Sequence, residues 1–291
     1  MNSSIKMKNP DAFLLAEVYQ PHLYRDYIKK GKMDYLYDKV QLYDTLKHVM
    51  QGHGSTNNIP PILEDLKDIE HHMLHFLENH DEQRIASPDF AGNARKGKPA
   101  MVVSATSSTS PTMVYFGQEL GEPAEEDLGF GDPTRTSIFD YGSVPTYVRW
   151  VNDKKFDGGQ STPEEKELRD FYKRLLNFTI NSSALMGDYQ DIQLYNQQHT
   201  EWYNDKVLSF VRWSEDEKLI IISNFNAENT YGFELQLPED LIKKLGLNDG
   251  EYQVVDQLYS DYSSTLKVTN GKARVRIDIK PLESFILMVE D

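Results

Sequence analysis

Over the first 185 positions, apolar residues come in short runs separated by stretches of helical period. "AFLLAEV" (12–18) is a continuous apolar run ending at Glu17 and Val18, which predicts a strand buried on both faces. "PHLYRDYIKKG" (21–31) predicts a helix that starts near Pro21 and closes at Gly31. "MDYLYD" (33–38), "MLHFLEN" (73–79) and "PTMVYFG" (111–117) predict three more strands. "YDTLKHVM", "IPPILEDLKDIEHH" and "KPAMVVSATSSTS" have helical spacing and fall between them. Buried strands alternating with helices predict a parallel α/β arrangement. Right-handed crossovers then bring the C-terminal ends of the strands to one edge.

Residues 118–160 lack strong periodicity and are rich in Gly, Pro, Asp and Thr; a connection of that length in a compact domain is usually functional. "STPEEKELRDFYKRLLNFTI" predicts an amphipathic helix capped by Ser161 or Thr162, with Pro163 in its first turn. From about residue 188 the period changes to two. Seven strand-like segments follow, from "VLSFVRW" to "SFILMVED", and Asn270-Gly271 marks a tight hairpin before the strictly alternating "ARVRIDIK". The pattern therefore divides the chain into an α/β part, 1–187, and an antiparallel sandwich, 188–291, expected to fold independently.

Charge narrows the partners. Thirty-one basic and 46 acidic residues give a formal charge of −15. That balance repels nucleic acid and anionic membrane surfaces. No apolar run approaches the ~20 residues a spanning helix needs, and no apolar leader follows Met1. The chain has no cysteine, so thiolate metal sites and cysteine nucleophiles are excluded.

The strand ends carry the candidate chemistry. In parallel α/β barrels the reacting groups sit at the C-terminal ends of strands, where the loops converge. Two predicted strands end in carboxylates, Glu17 and Asp81, and the strand between them would place both in one layer of side chains. Paired carboxylates across such an opening are the apparatus of glycoside hydrolysis, although acidic residues also end strands for structural reasons. Tyr19, Tyr35, Tyr37 and Phe139 can stack on a ligand ring or pack under loops. His71 and His75 have the i, i+4 spacing of a helical metal pair, but their segment enters a strand, which argues against a metal. "GFGDP" (129–133) has neither the Lys-Ser/Thr nor the preceding strand of a phosphate loop.

Three ordered blocks, "FLLAEVYQP", "FLENHDEQR" and "PTMVYFGQELGE", resemble segments from the fifth, seventh and eighth barrel strands of the α-amylase family of glycoside hydrolases. The resemblance runs over essentially the whole chain. It implies a partial (β/α) barrel, the second half of a TIM-type barrel, followed by the family's C-terminal β-sandwich. It also implies an α-glucan substrate (starch or maltooligosaccharides) cleaved by a retaining mechanism. By position, Glu17 would be the general acid/base, and Asp81 would bind sugar hydroxyls and help distort the ring. His80, Tyr19 and Arg84 would bind substrate, Arg84 alternatively pairing with a carboxylate, while Asn79 would hold the loop and Glu119 would be structural.

The departures matter as much. The family's nucleophile is an aspartate in an Arg-x-Asp block at the fourth strand, and only sixteen residues precede Glu17. The third-strand block and the inserted domain with its calcium ligands have no counterpart here, so no cofactor is expected. On the resemblance, the chain is the second half of an amylase, lacking the nucleophile strand and inactive alone. Such a half-barrel would need cover, from self-association or from a complementing N-terminal half. Two alternatives stay open: a non-catalytic protein that binds glucan or a partner, and an α-glucosidase or transglycosylase of the same superfamily.

Overall fold

A computed structural model of the chain describes residues 2–126, 134–139 and 141–290. "GFGDP" lies outside them. After the helix Asn2–Lys8 come four short strands, β1 (Leu15–Ala16), β2 (Tyr35–Tyr37), β3 (Met73–Phe76) and β4 (Thr112–Met113). They form one sheet in the order β1-β2-β3-β4, and every pair is parallel. The helices Tyr24–Lys29, Asp44–Met50, Ile59–Asp65 and Gly97–Thr106 fall between the strands, as the period predicts.

"AFLLAEV" departs from its expectation of two buried faces. Val18 is the one buried residue of the run, while Phe13 is 60% exposed. The reason is position: among the described residues β1 pairs only with β2 and forms the edge of the sheet, so no described strand flanks its outer side.

Beyond a long connection containing the helix Pro145–Val151, the helix Pro163–Thr179 opens with a capping box. Thr162 Oγ1 accepts from the Glu165 amide and the Glu165 carboxylate accepts from the Thr162 amide, satisfying two otherwise orphaned donors.

The antiparallel sheet begins with β5 (Asp188–Asp191) and continues through β6 (Val207–Trp213), β7 (Lys218–Asn224), β8 (Tyr231–Leu237), β9 (Gly250–Asp256), β10 (Ser263–Thr269), β11 (Lys272–Ile279) and β12 (Ser284–Val289). Their order is β5-β6-β7-β12-β9-β10-β11-β8. The β10–β11 hairpin turns on Asn270 and Gly271, both at positive φ, between the paired Thr269 and Lys272.

The two ends of this sheet meet different surroundings. β11 alternates buried and exposed residues throughout, with one face in the sandwich core and one in water. β6, β7 and β12 are buried on both faces. Val211, Ile222 and Leu287 point into the sandwich core, whereas Phe210, Ile221 and Ile286 join a second core. That second core contains Ala100, Val103, Phe171 and Leu175 from the helices Gly97–Thr106 and Pro163–Thr179. The helices of the parallel layer and the antiparallel sheet thus share one continuous apolar interior.

Candidate active site

Strand geometry explains the polar run after β3. Glu17 follows β1 and Asp81 follows β3, with β2 between them, so both carboxylates rise at the same edge of the sheet. Glu17, His80 and Asp81 each offer a polar atom, and these atoms lie within 4.8 Å of one another. His80 Nε2 is 3.4 Å from Asp81 Oδ2. Tyr19 and Tyr37 stand beside them. Their phenols are raised first by burial and next by the negative charges of Glu17 and Asp81, which marks this edge as electronegative.

The rest of "ENHDEQR" builds the loop that holds this pair. The buried Asn79 turns its Oδ1 back to accept from the amides of Asp81 and Glu82, both at 2.9 Å. Glu82 is anchored by Tyr43 Oη at 2.9 Å and by Lys39 and Lys47 at 3.1 and 3.5 Å. Asn79 holds the loop, as expected from the sequence.

Arg84 requires a correction. It does not reach the surface as a substrate-binding residue; its relative exposure is 0%. Its guanidinium donates to Glu78 Oε2 at 2.7 Å, to Thr136 Oγ1 at 3.1 Å and to the Phe116 carbonyl at 2.9 Å. It also lies 4.6 Å from the Tyr115 ring centroid. The alternative, pairing with a carboxylate, is the arrangement found. Burial raises Glu78 and the adjacent Arg84 charge opposes that rise. The pair ties the loop after β3 to the segments carrying Phe116 and Thr136.

The aromatic candidates separate. Tyr19 is 54% exposed and lines the depression with Glu17 and Asp81, and Phe139 is exposed too. Tyr35 stacks on Phe13 with centroids 4.9 Å apart, and Tyr37 packs edge-on to Phe76 at 5.1 Å. Glu119 accepts from Tyr147 Oη at 3.2 Å, a structural contact. Gly117, at φ +87, makes the turn before it. His71 and His75 do not form a metal pair: His75 sits in β3 and bonds the Ser104 carbonyl through Nδ1, while His71 lies exposed beside His72.

Two members of the edge escaped the sequence reading. Lys39 lines the same depression, and the buried Glu78 holds the adjoining loop by accepting from the Ile85 amide at 2.7 Å. Lys39 was accessible by the strand-end rule, because it follows β2 as Glu17 follows β1. Glu78 carried no separate signal within a run of seven polar residues.

Among the described residues, Glu17, His80 and Asp81 form the one group of three side chains suited to a metal. Calcium takes six to eight oxygens, which this set does not supply. The depression itself has a volume of ≈ 10 Å³, too little to enclose a sugar ring. Its walls on this chain are β1, β2, β3 and their loops.

A partial barrel of parallel strands with carboxylates at its strand ends, joined to an antiparallel sandwich, is similar in fold to part of the solved α-amylases. The comparisons agree. Residues 200–290 match the family described as "Alpha amylase, C-terminal all-beta domain". The α-amylase of Geobacillus thermoleovorans, solved in complex with acarbose, aligns with 99% of this chain over 56% of its own, with a TM-score of 0.69 and 19% identity. The Anoxybacillus α-amylase aligns with 99% of this chain over 54% of its own, with a TM-score of 0.67 and 19% identity. A curated relative, the 1,4-alpha-glucan branching enzyme GlgB 2 of Clostridium perfringens (strain SM101 / Type A), is 26% identical over 153 residues, 49% of this chain and 22% of that one. The chain therefore spans about half the length of these solved amylases and about a fifth of the branching enzyme. The resemblance carried by the three sequence blocks extends to the fold.

Proposed function

We propose that this chain supplies the acid/base half of an α-glucan-active site of the retaining glycoside hydrolase type. Glu17 protonates the glycosidic oxygen as the leaving group departs, then takes a proton from the water that releases the sugar. Asp81 and His80 hold hydroxyls of the ring at the cleavage point, and Tyr19 offers it an aromatic face. The nucleophilic carboxylate comes from outside the four strands of this sheet. The observation that carries the reading is the convergence of Glu17, His80 and Asp81 to within 4.8 Å from two different strand ends. The small volume of the depression supports the further point that this chain alone does not turn over glucan. One of its relatives is named as a branching enzyme, so transfer to a second glucan is the alternative fate of the glycosyl group.

The test is a turnover assay on maltooligosaccharides, with the chain alone and with a polypeptide carrying strands one to four of a related barrel. No turnover is expected alone. Turnover is expected on complementation, and Glu17→Gln should reduce it by several powers of ten. Activity of the isolated chain that Glu17→Gln abolishes would overturn the half-site reading. Complemented activity indifferent to Glu17→Gln would overturn the assignment of the acid. Product lengths distinguish hydrolysis from transfer.

A further inference from the structure

A buried acid–base pair joins β2 to β3. Asp38 directly follows β2 and His75 lies within β3, and they are 1% and 2% exposed. His75 Nε2 is 3.6 Å from Asp38 Oδ2. Neither residue borders solvent, and neither has a part in the chemistry proposed for Glu17 and Asp81.

Their partners fix the number of protons. The Ser104 carbonyl can only accept, so its 2.9 Å contact with His75 Nδ1 places a hydrogen on that nitrogen. Asp38 Oδ1 accepts from the Leu42 amide at 3.2 Å, while Oδ2 has no hydrogen-bond partner among the described residues. Nε2 and Oδ2 therefore face each other with one proton to share. On Nε2 it makes a buried ion pair; on Oδ2 it makes a neutral acid beside a neutral imidazole. Without it, a bare carboxylate would face a nitrogen lone pair away from water, which is costly. Burial pushes the Asp38 carboxyl up, against the opposing effects of His75 and the Leu42 amide. Tyr24, from the helix Tyr24–Lys29, and Asp44, at the start of the helix Asp44–Met50, also act on this carboxyl. The like charge of Asp44 is met by Lys39 at 2.7 Å.

Asp38 is at the same time the N-cap of the helical turn Lys39–Tyr43, and its own amide donates to the Leu74 carbonyl of β3 at 3.1 Å. That turn carries Lys39 and Tyr43, which hold Glu82 at 3.1 and 2.9 Å. Tyr43 also stacks on Phe76 of β3, with centroids 4.7 Å apart. Glu82 and Asp81 both donate their amides to the same Asn79 oxygen. A shift of the turn therefore reaches Asp81 through Glu82. We propose that Asp38 and His75 are positioning residues that share one proton and thereby hold the Lys39–Tyr43 turn against the loop of His80 and Asp81. The importance of that loop rests on the function proposed above; the shared proton rests on the geometry of the pair.

The test is hydrogen exchange at the Leu42 and Asp81 amides of the full chain over a range of pH, corrected for the intrinsic rate at each pH. Protection of both should fall as the pH rises far enough to remove the shared proton. Asp38→Asn keeps an acceptor for the Leu42 amide and gives His75 Nε2 a permanent donor, so it should abolish that alkaline fall. His75→Leu strands the carboxylate and should lower the protection of both amides about tenfold at neutral pH, and Asp38→Asn/His75→Leu should recover most of the loss. A merely structural pair would not lose its pH dependence on Asp38→Asn. If His75→Leu fails to fold, the Asp38→Asn profile decides alone. An alkaline fall that persists in Asp38→Asn, or Asp81 protection that stays constant where Leu42 protection falls, overturns the proposal. Coupled amides without complemented turnover remove only the catalytic reading. Complemented turnover without coupled amides removes only this one.

Discussion

Arg84 Nη1 donates to Glu78 Oε2 at 2.7 Å where both side chains are shut off from water. The pair joins the loop after β3 to the segments of Phe116 and Thr136, so it positions Asp81 without touching the surface itself. Removing one partner strands the other charge in the interior. Arg84→Met should cost about 3–5 kcal/mol, and Arg84→Met/Glu78→Met should recover much of that loss. Urea denaturation of the two single variants and the double variant measures the coupling. Additive losses would show that the pair does not act as a unit.

Asp191, at the end of β5, sets a dependence on pH. Burial pushes its carboxyl up to about 6, against the opposing hydrogen bonds from the amides of Gln193 and Leu194. A carboxyl raised on folding stabilises the native state while protonated, and that contribution is lost as pH climbs from about 4 through about 6. Asp191→Asn keeps an acceptor for the Gln193 amide and removes the charge. It should stabilise the chain by about 3 kcal/mol at pH 7 and by well under ~1 kcal/mol at pH 4. Thermal melts at the two pH values check the difference, and an equal effect at both would contradict the assigned cause.

The shared core bears on the independence of residues 188–291. Cutting the chain there exposes Leu208, Phe210, Leu219, Ile221 and Ile286, all buried against the first part. At about 1.5–3 kcal/mol for each fully buried side chain, losing their cover is comparable with the usual margin of a small domain. The isolated segment should therefore melt at lower temperature than the full chain and bind a hydrophobic dye. Polar substitution of Phe210 and Ile221 should restore its solubility. A segment as stable as the full chain would show that the sandwich core alone suffices.

The parallel sheet makes a further demand. Among the described residues β1 and β4 each pair on one side only, and Phe13, Tyr19, Phe116 and Phe139 are exposed. Unpaired edges beside apolar side chains favour association. We expect the purified chain to sediment as a concentration-dependent mixture of monomer and larger species. A complementing half-barrel should convert it to a single complex. A compact monomer at all concentrations would rule out association across these edges.

Local rules reached much of this molecule from the sequence. The capping box at Thr162 and Glu165, the Asn270-Gly271 hairpin and the strict alternation of β11 each depend on a few neighbouring residues, and the structure contains all three. The four parallel strands were legible for the same reason, since period and flanking turn residues are short-range properties. The convergence of Glu17 with Asp81 needed one more step, the rule that alternate parallel strands place their ends in one layer.

Only the tertiary structure decided which polar groups of "ENHDEQR" face water. His80 and Asp81 reach the surface, while Glu78, Asn79 and Arg84 turn inward, because Thr136 and the Phe116 carbonyl, 52 and 32 positions from Arg84, complete its hydrogen bonds. It also decided that β6, β7 and β12 are covered on both faces and that β1 is not. Residue type and spacing determine what each segment can form locally. Burial is decided by which distant surface arrives to cover it, and that depends on the packing of the whole chain.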